Sequence, residues 1–263
     1  MLYVAAPMSP LKVRLVLHRP SSAENLGAAA RAMKNFGLSR LVVVAPPSWE
    51  GPPRSGGAGR AREEILARAS RLARRGTDLL DAAELHADLR GALGAATWVC
   101  GTSSRAIEGR PRLSPRELAA EVARRSAAGE VAVVFGEERR GLSDAELELC
   151  QAVCTIPTHA AYDSMNLAQA VAVVAYELSL AGAATPAVAP APSVEPARLA
   201  TLEALWARLG ALLGAAGYLN PQNPEQILAE WRRLLGRAEP TQREAELLLA
   251  GVKALERKVG GAG

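Results

Sequence analysis

The sequence predicts an α/β fold built on a mostly parallel sheet. Three observations carry this reading. Strand-like and helix-like segments alternate over residues 11–181, as strand–helix–strand units require. The second strand, RLVVVAPP (40–47), holds a continuous apolar run, the pattern of a strand covered on both faces. Three strands end in polar or glycine-containing loops, GTSSR, FGEERRGLS and IPTHAAYDSMN. Ligands of such sheets bind at the carboxyl ends of strands.

The elements follow in order. Residues 11–18, LKVRLVLH, alternate as a strand does, and residues 23–36 then carry a helical pattern. The second strand, 40–47, is stopped by prolines, and the Gly/Pro-rich segment 51–60 reads as a loop. Helical patterns cover 61–75 and 83–94. ATWVCGTSS (96–104) is a strand with a polar end. A helix over 114–127 leads into the strand at 130–135. A short helix over 143–150 precedes AVCTIPT (152–158), and a long helix covers 163–181.

Residues 182–197, GAATPAVAPAPSVEPA, are Ala/Pro-rich and nearly uncharged, which suits a semi-extended linker. Beyond it, three amphipathic helices are expected over 198–263. The first places Leu199, Leu202, Leu205, Trp206, Leu209, Leu212 and Leu213 on one face. The second opens at Asn223 with Pro224 in its first turn. The third opens at Thr241, with Glu244 placed for a capping box. The expected organisation is therefore a large unit at 1–181, a linker at 182–197 and a small helical unit at 198–263.

Composition narrows the function classes. The chain has 263 residues, 49% of them hydrophobic, and a net charge of +4. The start lacks a basic stretch ahead of an apolar one, so no secretory leader is expected. No uninterrupted apolar run approaches the roughly 18 residues that span a bilayer, and the expected compartment is the cytoplasm. Residues 1–60 carry eight Lys and Arg against two acids, a bias that suits a polyanionic partner and equally a solvated surface. Cys100, Cys150 and Cys154 form no disulfide framework. With His18, His86 and His159 unrelated in spacing, no four-ligand metal set is completed, so no metal is expected.

Three stretches carry candidate chemistry. In NLGAAAR (25–31), Gly27 and the alanines allow a helix start to approach a backbone or ligand closely. A helix N-terminus favours an anion, and Arg31 offers a two-pronged fork for phosphate. In FGEERRGLS (135–143), Gly136 and Gly141 flank two acids and two arginines, and Ser143 with Glu146 forms a capping box. In IPTHAAYDSMNLAQAV (156–171), Ser164 and Asn166 open a helix apolar on nearly every turn. Each stretch alone also fits an ordinary cap or turn.

Together and in this order, the three stretches resemble the three motifs of the SpoU branch of the SPOUT RNA methyltransferases. The tail GYLNPQNPEQILAEWRRLLGRAEPTQREAELLLAGVKALE (217–256) is similar to the helical extension of one group within it, the TrmJ group, which acts at nucleotide 32 of the tRNA anticodon loop. The resemblance implies a trefoil knot, a homodimer, S-adenosylmethionine as cofactor and transfer of its methyl to a ribose 2′-hydroxyl of RNA. Carried over by position, cofactor contacts are Thr102, Ser103, Ser104, Gly136, Ile156, Asp163, Ser164 and Met165. The RNA-handling and catalytic positions are Asn25, Arg31, Glu138, Ser164 and Asn166. A guanidinium with a pKa above about 12 is a poor base, so Arg31 is expected to clamp the phosphate beside the reacting ribose. The proton acceptor stays open between phosphate, water and Glu138.

Other readings are the same chemistry on another tRNA position or on ribosomal RNA, a non-catalytic RNA-binding relative, and a nucleotide-cofactor oxidoreductase. The last lacks a G-x-G-x-x-G after the first strand.

Overall fold

The computed structural model describes residues 11–44, 58–159, 164–184, 194–219, 222 and 224–259. Residues Asp163 and Asn223, the first seven residues of segment 51–60 and the middle of segment 182–197 lie outside them.

Seven parallel strands form one sheet. They are β1 (Val13–His18), β2 (Leu41–Val44), β3 (Glu84–His86), β4 (Trp98–Thr102), β5 (Arg112–Leu113), β6 (Val131–Phe135) and β7 (Ala152–Cys154). Their spatial order is β3-β2-β1-β6-β4-β7-β5. β7 therefore lies between β4 and β5, two strands that precede it in the chain.

Helices cover both faces. On one side pack α1 (Ala23–Asn35), α2 (Ala58–Ala73), α3 (Thr77–Asp81), α5 (Pro115–Arg125) and α7 (Leu167–Ala184), through residues such as Leu26, Met33, Leu118, Val122 and Val174. On the other pack α4 (Leu89–Leu93) and α6 (Asp144–Leu147), joined by Leu199 at the start of α8 (Leu199–Ala215). All residues of β2 and β6 are buried, as apolar strands require, and β1, whose alternating pattern predicts one exposed face, is buried at every position as well. The polar positions of β1 are buried too. Arg14 pairs with Glu130 and with Glu84 at 3.4 Å and donates to the Ala92 carbonyl at 3.2 Å. Removing one partner of such a buried pair costs about 3–5 kcal/mol, so the charges act as a fixed joint.

Two expectations are corrected. The segment 83–94 is not one helix: it holds edge strand β3 and the short α4, capped by Asp88, which accepts from Gly91 N–H at 2.8 Å. The long helix starts at Leu167, not 163, and runs on to Ala184. That helix is long and apolar enough to cross a membrane by length and composition. Yet Leu167, Val171, Val174 and Leu178 are packed in the core, each such burial contributing about 1.5–3 kcal/mol.

α8 packs against α10 (Gln242–Val259), with α9 (Pro224–Ala238) alongside. The Thr241 cap forms as expected, its hydroxyl accepting from Glu244 N–H at 3.1 Å while Glu244 accepts from Thr241 N–H at 2.8 Å. The start of α8 is fastened to the sheet unit by Leu199 N–H to the Ala96 carbonyl at 2.9 Å.

Candidate active site

The carboxyl ends of β6, β4 and β7 lie side by side, and their loops enclose a cavity of about 290 Å³. Its wall contains Thr102 at the end of β4 with Ser103 and Ser104 after it, Gly136 and Glu138 after β6, and Ile156, Ser164 and Met165 after β7. Every cofactor contact expected from the sequence lies on this wall except Asp163, which falls outside the described residues. Phe135, Leu142, Leu167 and Ala170 supply apolar surface, and hydroxyls and main-chain groups supply polar edges.

The loop after β6 is a tight return. Gly141 N–H donates to the Glu137 carbonyl at 2.9 Å, and Gly141 holds a left-handed φ of 68°. A Cβ on Gly136 would collide with the backbone of Gly141 and Leu142. The two glycines thus let the loop close on itself. Ser143 and Glu146 form the expected capping box of α6. The buried His18, at the end of β1, contacts Glu146 through Nε2 at 2.7 Å. Burial pushes the Glu146 carboxyl up, but the Ser143 N–H and His18 outweigh it and hold the group below the usual range.

Beside the cavity, residues from three motifs join in one network. Asn25 Nδ2 donates to Glu138 Oε1 at 2.8 Å, and Asn166 Nδ2 donates to Asn25 Oδ1 at 2.9 Å. Ser21 donates to Glu138 Oε2 from its N–H at 2.9 Å and its hydroxyl at 2.8 Å. The anion expected at the start of α1 is therefore the protein's own Glu138. Burial alone would raise its carboxyl. The donors Asn25 and Ser21 together outweigh burial and hold it below the usual carboxylate range. Asn166 also caps α7, accepting from Ala168 N–H at 2.9 Å.

Arg31 stands apart. It is exposed, makes no ion pair among the described residues and is not on the cavity wall. Gly27 has a different role from the ligand approach expected of it: a Cβ there would overlap the Ala69 carbonyl, so the glycine serves packing between α1 and α2.

Two residues escaped the sequence reading. Ser21 gives Glu138 two of its three hydrogen bonds, and nothing marks it before the helix cap at Ser22. Arg105 bridges two cavity loops, donating to the Leu142 carbonyl at 2.7 Å and to Asp144 at 2.8 Å. Its signal is the arginine ending GTSSR.

A parallel α/β sheet with three strand-end loops closed on one cavity, and a polar network at its rim, defines a ligand-binding α/β domain, and the chain belongs to the SpoU rRNA Methylase family, whose model matches residues 12–176. Residues 200–262 match the model of the C-terminal domain of the tRNA methyltransferase TrmJ. The chain is 37% identical to the tRNA (cytidine/uridine/adenosine-2′-O-)-methyltransferase TrmJ of Pseudomonas aeruginosa, over 90% of this chain and 91% of that one. It is 34% identical to the tRNA (cytidine/uridine-2′-O-)-methyltransferase TrmJ of Yersinia enterocolitica, over 94% and 92%. The crystal structure of TrmJ from Z. mobilis ZM4 superposes with a TM-score of 0.75 at 29% identity, covering 92% of this chain and 98% of that one.

Proposed function

We propose that the chain transfers a methyl group from S-adenosylmethionine to a ribose 2′-hydroxyl of tRNA, at nucleotide 32 of the anticodon loop. The observation that carries this reading is the cavity formed by the β4, β6 and β7 loops with the Asn25–Glu138–Asn166 network at its rim. The curated relatives are named for 2′-O-methylation of cytidine and uridine, the Pseudomonas aeruginosa one for adenosine as well, which supports a ribose of tRNA as the target. Position 32 follows from the resemblance of the tail to one group of the family.

The cavity fits the cofactor. An apolar wall of Phe135, Leu142, Ile156 and Leu167 suits a flat heteroaromatic ring, and the hydroxyl-rich edge at Thr102–Ser104 suits a ribose and charged amino-acid end. When bound, the cofactor supplies an electrophilic methyl on a cationic sulfur. The chain's task is to bring a hydroxyl oxygen to about 3–3.5 Å from that carbon, which supplies much of the rate. An oxygen–carbon bond forms as the carbon–sulfur bond breaks, and the hydroxyl proton must leave.

Glu138 is assigned to positioning. Both its oxygens already accept hydrogen bonds, and it is held ionised below the usual range. A carboxylate so engaged is a weaker base than an ordinary one. Its work is to fix Asn25, and through it Asn166, at the rim. Ser164, on the wall, faces the site from the third motif. Arg31 is assigned to the phosphate beside the target ribose, leaving phosphate or water to take the proton.

Arg31 lies outside its own chain's cavity wall, and α7 exposes Tyr176 and Leu180. Both features favour a homodimer that covers α7 and brings RNA held by Arg31 to a site near the interface. The insertion of β7 between β4 and β5 favours the trefoil knot. Residues 1–181 are assigned as the methyltransferase unit, 182–197 as the linker and 198–263 as the extension. The compartment is the cytoplasm, where bacterial tRNA is modified. The test is incubation with labelled cofactor and total tRNA followed by nucleotide mapping. A methyl on ribose 32 supports the reading; a methyl elsewhere in tRNA, or only in ribosomal RNA, moves the target; no transfer overturns it.

A further inference from the structure

α10 packs on α8 along one side, where Ala245 and Val252 are buried. Its opposite side is apolar too. Leu247, Leu248 and Leu255 are exposed there at 54%, 44% and 57%. With 3.6 residues per turn, these leucines share one arc of about 120° with Glu244, Gly251, Ala254 and Lys258. All of them are exposed.

The arc is symmetric about Gly251. Leu248 and Ala254 stand three residues to either side of it, Leu247 and Leu255 four, and Glu244 and Lys258 seven. Turned end over end, the face is therefore its own complement. Leu247 then meets Leu255, Leu248 meets Ala254, and Glu244 meets Lys258. Among the described residues, Glu244 and Lys258 make no ion pair within the chain, and the Glu244 carboxylate is engaged by the Thr241 N–H of its cap. Gly251 weakens its own helix, since glycine in a helix interior is less stable than alanine. Nothing among the described residues requires it, because a Cβ there would meet no atom within 4 Å. At the centre of an apolar face, a glycine lets a second backbone come close.

We propose that α10 pairs with α10 of a second copy of the chain, antiparallel and on a two-fold axis at Gly251. A two-fold interface needs a patch that matches itself. This one does so in shape, with leucines flanking a glycine at the crossing, and in charge, with an acid and a base facing each other at both ends. Parallel pairing would set Glu244 against Glu244 and Lys258 against Lys258, and like charges in register cost binding. The surface is separate from Tyr176 and Leu180 on α7, and the inference does not rest on the methyl-transfer reading. Four apolar side chains per copy make a small seam beside the roughly 800 Å² per partner that a stable interface buries. The pair is therefore short-lived alone and adds to any other contact between copies.

The test is disulfide capture in the full chain, which traps even a short-lived pair. Helix axes about 8–10 Å apart, with Cα atoms about 2.3 Å from each axis, bring the two Cα atoms at a dyad to about 3.5–5.5 Å, overlapping the range a disulfide bridges. The native Cys100, Cys150 and Cys154 are buried and give no background. Under mild oxidation with copper phenanthroline, Gly251→Cys should yield covalently paired chains. The double variant Leu247→Cys/Leu255→Cys should do the same. Leu247→Cys alone, and Glu246→Cys on the flank of the helix, should not. Adding Leu248→Glu to Gly251→Cys should slow capture at least tenfold while circular dichroism shows the fold intact. No capture of Gly251→Cys would overturn the proposal. Capture of Glu246→Cys at the same rate would mark random collision and overturn it as well. Leu247→Cys captured alone as fast as the double variant would mean parallel pairing, and an unchanged rate with Leu248→Glu would place the contact elsewhere; either result rejects the antiparallel seam.

Discussion

Asn25 and Glu138, from the first helix and the loop after β6, are joined by a 2.8 Å hydrogen bond across 113 positions of sequence. The bond locks the rim of the cofactor cavity to the start of α1. The same carboxylate takes both donors of Ser21, so the rim depends on one ionised group with three hydrogen bonds.

Glu138→Ala removes all three at once. Asn25 and Asn166 then lose their anchor, and a misplacement near 1 Å costs on the order of 10²-fold in rate. Single-turnover kinetics should show kcat reduced by about that factor, with cofactor affinity changed less than about threefold. Equal losses in both would mean that Glu138 holds the cofactor instead.

The pH dependence has a definite sign. Glu138 has a lower pKa folded than unfolded, so its contribution is full above the unfolded carboxylate value and is lost as pH falls through the depressed folded value. The parent should therefore hold its activity through the mildly acidic range and lose it only below the ordinary carboxylate pKa. Glu138→Gln cannot ionise and should lack that acid limb. A pH profile of both, with circular dichroism to track folding, checks this.

Arg31→Ala should lower kcat by at least about 10²-fold, the scale of losing one preorganised charge contact in a transition state. Cofactor affinity measured by calorimetry should not move. If the variant lost the cofactor and kept turnover at saturating cofactor, the assignment to phosphate would be wrong.

Gly27→Ala tests packing. The added methyl meets the Ala69 carbonyl, which belongs to another helix backbone and cannot turn aside. Overpacking of this kind costs about 1–3 kcal/mol. Chemical denaturation should show that loss, while the folded fraction keeps its cofactor affinity. A stability equal to the parent would leave the glycine unexplained.

Much of this was legible in the sequence because it follows from periodicity and caps. The apolar runs at 41–44 and 131–135 became buried parallel strands, and the boxes at Ser143 and Thr241 formed. Edge strands β3 and β5 were not legible. Three and two residues are too short for a period to show, and Glu84 and Arg112 are exposed. Of the site, the cavity wall could be assigned because its residues cluster in three strand-end loops, GTSSR and the second and third motifs. The partners of Glu138 could be only partly foreseen, because Ser21 lies outside every motif and reaches the carboxylate through tertiary geometry. Gly27 misled for a related reason: a small residue near a helix start signals close approach, and nothing local says whether a ligand or another helix is approaching.

The most direct measurement is calorimetric titration of S-adenosylmethionine into the parent chain and into Gly136→Val. A branched side chain at 136 must push the Gly141–Leu142 backbone out of place and open the loop after β6. One binding event per chain in the parent, weakened at least tenfold in a variant that is still folded, is the predicted result. No binding to the parent, or equal affinity for both, would contradict a donor site at these loops.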